Sequence, residues 1–291
     1  MGDNHRRAVT IIREGILVAL IFLIIYGYVY WCKPFQGSWN DIVVDLFDAI
    51  AVGLTAIAAT AVWRRYRKSE KLYSIWRFFT FGLYAWLLAD LIWAIYNVTV
   101  VEVPELSFAD LFYILGYCFI FIALHRQYRL LFHPTPRRDA VTTGMLAAAV
   151  FLLSLLLTPL VADLEHESIN LAELTSIFYP IGDLAIVIVA LIFLDKFGRG
   201  VFARPWLGLM VFTIADGLYA WLYQSGNYAF SVLQANLGSL VADTLYNTAY
   251  LTLTLLLINH YLLLKFGPSV VGDFGKIKKQ VFANPLETKP D

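Results

Sequence analysis

Long apolar runs alternate with short polar or charged stretches along the whole chain. Runs close to the length needed to cross about 30 Å of hydrocarbon recur at about 14–32, 42–63, 76–97, 107–125, 141–161, 174–194, 205–223 and 238–264. This pattern predicts an all-α integral membrane protein of eight transmembrane helices. The first run closes with Tyr26, Tyr28, Tyr30 and Trp31. That ending reads as an aromatic belt rather than the small-residue site of a cleaved signal peptide, so the run counts as the first span. The composition agrees. A chain of 291 residues that is 59% hydrophobic, 16% aromatic and 15% charged is too apolar for one soluble domain, and its first partner is the lipid bilayer.

The net charge of zero conceals an uneven distribution. Arg6, Arg7 and Arg13 precede the first span; Arg64, Arg65, Arg67, Lys68, Lys71 and Arg77 join spans two and three; Arg126, Arg129, Arg137 and Arg138 join four and five. Lys196, Arg199 and Arg204 join six and seven, and Lys265, Lys276, Lys278, Lys279 and Lys289 follow the eighth. With an even number of spans these all lie on one face, and of the lysines and arginines only Lys33 lies on the other. The positive-inside rule makes the basic face cytoplasmic, with both termini there, in the plasma membrane of a prokaryote. The opposite face carries Asp41, Glu102, Glu105, Asp163, Glu165, Glu167 and Glu173 and is acidic.

An internal repeat orders the chain further. Ala109, Asp110, Tyr113 and Tyr117 match Ala242, Asp243, Tyr246 and Tyr250 at one constant spacing that continues to Tyr128 and Tyr261. Ala89, Asp90, Trp93 and Ala94 match Ala215, Asp216, Tyr219 and Ala220, and Asp48 matches Asp183. The Leu83-Tyr84-Ala85-Trp86 string also recurs in a different frame at Leu218 to Trp221; the frame that sets both aspartates at one depth is preferred. The implied organisation is a cytoplasmic segment at 1–13, a first four-helix unit at 14–139, a second at 140–266 and a polar cytoplasmic tail at 267–291. Units of four helices keep one orientation, related by a pseudo-twofold axis along the membrane normal. Duplication retained only for symmetric packing would leave the same trace.

The candidate chemistry lies in six carboxylates inside the spans: Asp48, Asp90, Asp110, Asp183, Asp216 and Asp243. Each costs roughly 2.5 to 3.5 kcal/mol to insert at mid-membrane, and counting from the helix ends puts all six in one layer toward the outer side. Aromatic residues follow at helical spacing. Tyr113 and Tyr117 follow Asp110, Tyr246 and Tyr250 follow Asp243, Tyr219 and Tyr223 follow Asp216, Trp93 follows Asp90, and Tyr179 precedes Asp183 by one turn. Acids and rings thereby share helix faces. The expected ligand-binding site has Asp90, Asp110, Asp216 and Asp243 as polar anchors and Trp93, Tyr113, Tyr117, Tyr219, Tyr246 and Tyr250 as walls, with Asp48, Asp183 and Tyr179 behind them. The competing reading is that hydroxyls and carboxylates satisfy one another as polar glue between helices. At Asp110, which follows Pro104 and Ser107, helix capping is the stronger explanation.

Other residue types limit the function. Cys32 and Cys118 stand apart in apolar runs and form neither a metal site nor a disulfide framework; both read as packing residues. His125 and His260 read as interfacial packing, no metal ligands are predicted, and no motif identifies a cofactor. No lysine lies in mid-span to carry a retinal Schiff base. The phosphate loop, the G-x-S-x-G elbow and H-E-x-x-H are all missing. The basic residues follow topology rather than interleaving with exposed aromatics, which argues against nucleic acid as a partner.

Leu88-Ala89-Asp90-Leu91-Ile92-Trp93, Pro104-Glu105-Leu106-Ser107-Phe108-Ala109-Asp110-Leu111-Phe112-Tyr113-Ile114-Leu115-Gly116-Tyr117 and Tyr179-Pro180-Ile181-Gly182-Asp183-Leu184 together resemble a known type of region. It is the multi-helix membrane region that precedes diguanylate cyclase or histidine kinase domains in bacterial and archaeal signalling proteins. The resemblance spans about 10–265 and implies a sensory module, here with a tail too short to be an output domain. Three readings stay open. One is a sensory or ligand-binding module acting through a separate signalling protein; another is an accessory subunit of a larger membrane complex. The third is a membrane enzyme or transporter using intramembrane acids, to which the similarity of Gly182-Asp183 to the eight-helix lysoplasmalogenase family contributes.

Overall fold

In lipid the backbone finds no water, so each N–H and C=O must be satisfied within its own segment, and apolar runs of this length become helices. The computed structural model describes residues 3–36, 38–99, 107–132, 171–197, 204–229 and 231–267. Among these residues the regular structure is entirely helical: α1 Asp3–Cys32, α2 Trp39–Trp63, α3 Lys71–Thr99, α4 Phe108–Phe132, α5 Leu171–Phe197, α6 Arg204–Gln224 and α7 Leu237–Phe266, with a 3-10 turn at Val232–Gln234. Six of them, α1 to α4, α6 and α7, are long and apolar enough to cross a membrane. The protein is therefore a multi-pass helical chain suited to a bilayer. The run at 141–161 lies outside the described residues.

Several helices outrun the apolar stretches that announce them. Hydropathy marks the part of a helix that meets hydrocarbon, but charged residues sustain helix into the interface. Thus α1 begins at Asp3 rather than at 14, with Arg7 paired to Asp3 at 2.9 Å, and α3 begins at Lys71 rather than 76.

Joined by short connections, α1 to α4 alternate in direction, as do α5 to α7; α2 packs between α3 and α7, with α1 resting on α7 and α2. The closest crossings depend on small residues. On α3 and α4, Gly82 and Gly116 bring the backbones together. A Cβ on Gly82 would lie 3.0 Å from the Gly116 carbonyl oxygen, and one on Gly116 would lie 2.3 Å from the Trp86 indole. That indole lies across α4 and donates from Nε1 to the Tyr113 carbonyl at 3.1 Å. Where α6 crosses α7, Gly208 packs against Leu253. The face that α2 presents is made of Ala51, Val52, Ala56 and Ala59, all buried. There Thr55 Oγ1 lies 3.0 Å from the Tyr250 carbonyl oxygen and 2.9 Å from Thr254 Oγ1.

Two readings of the sequence change. Tyr26 and Tyr30 are buried, while Tyr28 and Trp31 are exposed, so the aromatic close of the first span is split by helix periodicity into an inward pair and an outward pair. Cys32 and Cys118 are exposed rather than packed in the core. They sit on apolar outer faces, beside exposed Trp31 and Leu115 respectively.

Gly116→Ala should destabilise the protein by about 1–3 kcal/mol, the usual cost of overpacking. Gly27→Ala, where a Cβ meets nothing within 4 Å, should not. Thermal unfolding of both variants in detergent compares them.

Candidate functional site

The six intramembrane carboxylates lie toward the same end of the bundle. At about 1.5 Å of rise per residue, Asp48, Asp90, Asp216 and Asp243 are roughly 9–14 Å in from that end of their helices, Asp183 about 18 Å in, and Asp110 in the first turn of α4. Each accepts a hydrogen bond from a tyrosine or an amide. Tyr113 donates to Asp90 at 2.5 Å, and Tyr246 donates to Asp216. Tyr117 reaches Asp183 at 2.6 Å and Asp216 at 3.0 Å. Tyr179 donates to Asp110 at 2.6 Å. Asp243 accepts from Tyr30 at 2.7 Å and Tyr228 at 2.8 Å, and Asp48 from the Asn247 amide at 2.5 Å.

Asp110 serves two purposes. Its Oδ2 accepts from the Ser107 backbone N–H at 2.7 Å and the Ser107 hydroxyl at 2.8 Å, closing the α4 N-terminus in the manner of a capping box. Its other oxygen receives Tyr179 from α5. Capping and interhelix bonding therefore coexist at this residue.

Asp183 and Asp216 share the Tyr117 hydroxyl. A phenol carries one hydrogen, so Tyr117 donates to one carboxyl and can accept only if the other supplies a hydrogen of its own. Tyr117 comes this close because residue 182 is glycine: a Cβ there would lie 2.9 Å from the ring. Pro180, inside α5, lacks the N–H of a regular turn and loosens the helix just ahead of Asp183.

Aromatic rings tie the layer together. Trp86 and Phe212 stack face to face, 4.8 Å apart at 11°. Tyr117 packs on Trp86 and Tyr250 on Phe212, each at 5.3 Å. Several contacts thus recur in two sets of helices at the spacings noted in the sequence: Tyr113 to Asp90 and Tyr246 to Asp216, Trp86 with Tyr117 and Phe212 with Tyr250. Tyr219 lies between Tyr228 and Tyr246, with its ring 4.7 Å and 6.3 Å from theirs. Trp93 is half-buried on α3.

Three partners were not foreseen. Tyr30 lies in the aromatic close of the first span, and its one-turn spacing from Tyr26 puts both on one face. Asn247, one turn after Asp243 in an apolar run, is a visible polar intrusion that an inventory of acids passes over. Tyr228 comes from the loop between α6 and α7 and left no pattern. Burial, then the Asp243 carboxylate beside it, pushes the Tyr228 hydroxyl well above its ordinary range, so it remains a donor. Nearer the end of the bundle, Asn97 holds Asp45 through both carboxylate oxygens, and Asp41 accepts from the Val232 backbone N–H at 2.6 Å, docking the 3-10 turn onto α2.

His260 is buried, with Nε2 3.0 Å from the Tyr66 hydroxyl and its ring 4.8 Å from Trp76, while His125 is exposed; the two occupy different surroundings. Among the described residues no group of three or more His, Cys, Asp or Glu is placed to hold a metal ion. No protein-family model, curated protein or solved structure matches the chain.

A double-mutant cycle between Tyr246→Phe and Asp216→Asn, read by thermal unfolding, should return a coupling of about 0.5–3 kcal/mol, as for residues in one hydrogen-bonded network. The pair Tyr246→Phe and Asp45→Asn, which share no bond, should be additive.

Proposed function

We propose that this protein is a sensory module of eight spans, built from two four-helix units, that binds a small polar ligand at its carboxylate–tyrosine layer and acts through a separate signalling protein. The observation that carries the reading is Tyr117. From α4 it reaches Asp183 on α5 and Asp216 on α6, so one hydroxyl joins three helices. A ligand bearing hydroxyl or amine groups can bind this layer only by taking over such bonds, and each bond it takes releases one helix from another. Ligand occupancy and helix arrangement are thereby coupled, which is the requirement for a receptor that changes state.

The likeness of the Asp90, Asp110 and Asp183 segments to membrane regions that precede cyclase and kinase domains supports this role. Support for the duplication comes from the recurring contacts, and above all from Trp86 and Phe212. These residues are equivalent in the proposed alignment and stack on one another, as residues beside a twofold axis do. The orientation, with a cytoplasmic basic end in a prokaryotic plasma membrane, rests on the loop charges.

Two measurements test these proposals. After both native cysteines are replaced by serine, Asn227→Cys should react with a membrane-impermeant maleimide in intact cells, and Ser69→Cys only after permeabilisation; the reverse pattern would invert the topology. Mass spectrometry of protein purified under mild conditions should find a bound small molecule that Asp90→Asn and Asp216→Asn lose while the yield of folded protein holds. Equal loss of folded protein in both variants would assign the layer to packing alone.

A further inference from the structure

Asp48 of α2 accepts from Asn247 of α7, and α1 packs on both helices. Two polar atoms on these helices are buried and have no hydrogen-bond partner: the Tyr26 hydroxyl and Asn247 Oδ1. Both residues have 0% exposure. The charged groups acting on Tyr26 are first Asp48 and then Asp243. The orientation of the Asn247 amide is set by its neighbours. Its nitrogen lies 2.5 Å from Asp48 Oδ1 and 3.3 Å from the Asp243 carbonyl oxygen. Both are acceptors, so turning the amide over would set oxygen against oxygen. Oδ1 is left as an acceptor that nothing donates to, at a cost of about 1–3 kcal/mol if it stays that way.

The charges there are also unmatched. Asp243 already takes two phenol donors and Asp48 one amide, all neutral. Lys33, the one Lys or Arg at this end among the described residues, donates to the Leu233 carbonyl at 2.9 Å and is exposed. Carboxylates without a counter-charge in an apolar layer are costly. A water molecule would satisfy the orphaned oxygen but would not neutralise a carboxylate, which takes a proton or a cation.

We propose that a monovalent cation of sodium's size binds here, coordinated by the Asp48 carboxylate, Asn247 Oδ1 and the Tyr26 hydroxyl oxygen, with Asp243 adding negative potential. Oxygen donors suit a hard cation. Only Asp48 offers a carboxylate for coordination, since the Asp243 oxygens already accept from Tyr30 and Tyr228, and one carboxylate among neutral oxygens suits a single positive charge. The site ties α1 to α2 and α7.

The test is thermal unfolding of the purified full-length protein in detergent as sodium chloride replaces choline chloride at constant ionic strength. A cation that binds the folded state raises the unfolding midpoint, by an amount that grows with sodium concentration above the dissociation constant. The rise should vanish in Asp48→Asn and persist in Asp3→Asn, which removes a carboxylate from the exposed pair with Arg7. Tyr26→Phe keeps the ring against Phe47 and Tyr30 and removes one coordinating oxygen. It should raise the half-effective sodium concentration about tenfold, the equivalent of about 1.4 kcal/mol. If Asp48→Asn does not fold, Tyr26→Phe alone decides. A wild-type midpoint indifferent to sodium would mean a water only and would overturn the proposal, as would an unchanged sodium response in Tyr26→Phe.

Discussion

A carboxyl group placed among lipid chains has no water to turn to, so it must find hydrogen inside the protein or not be there. This constraint shapes most of what lies at one end of the bundle. Each of the six aspartates in the layer accepts from a hydroxyl or an amide, and in nearly every case the donor stands on another helix. Asp90 on α3 is met from α4, Asp216 on α6 from α4 and α7, and Asp243 on α7 from α1 and the loop before it. The bonds specify which face of each helix turns inward and at what height, because a rotation or a one-turn slip would leave an acid facing hydrocarbon.

Such bonds need helices that approach closely, and the approach is made by small residues. Gly82, Gly116 and Gly208 remove the side chains that would hold α3 from α4 and α6 from α7, and Gly182 lets the Tyr117 ring lie against α5. Large rings then fill the space so opened, with Trp86 and Phe212 stacked at the middle and tyrosines packed on both. Polar layer and ring packing are mechanically one system, since Tyr117 and Tyr246 belong to both. A change in the hydrogen bonding of one acid is therefore felt as a change in ring packing between helices.

The opposite end is built differently. Apart from Arg7, which pairs with Asp3, several of its described cations lie on aromatic faces. Arg65 sits 4.8 Å from the Tyr261 ring and donates to its hydroxyl at 2.9 Å, and Arg126 lies 4.8 Å from the Phe78 ring. Long stems along apolar surface with the charge at the rim are what an interface with water favours. One end of the molecule thus holds its charge inside a hydrogen-bonded layer and the other displays it at the surface.

How much of this was legible in the chain follows from what kind of interaction each part depends on. Hydropathy located the helices because burial in lipid is a property of consecutive residues, though it missed their charged ends at Asp3 and Lys71. Helical spacing grouped Asp110 with Tyr113 and Asp243 with Tyr246 on shared faces, because one face is a local matter. The same spacing did not say that Tyr113 would leave its own helix's aspartate and bond Asp90 instead, nor that Tyr30 and Tyr228 would converge on Asp243. It also did not show that Tyr26 and Asn247 would end with buried oxygens unpaired. What the sequence by itself determined was the apolar helices, the asymmetry of charge and the acids that must be sheltered. Only the tertiary structure decided which donor shelters which acid, because a hydrogen bond depends on ångström distances between residues as far apart in the chain as Tyr30 and Asp243.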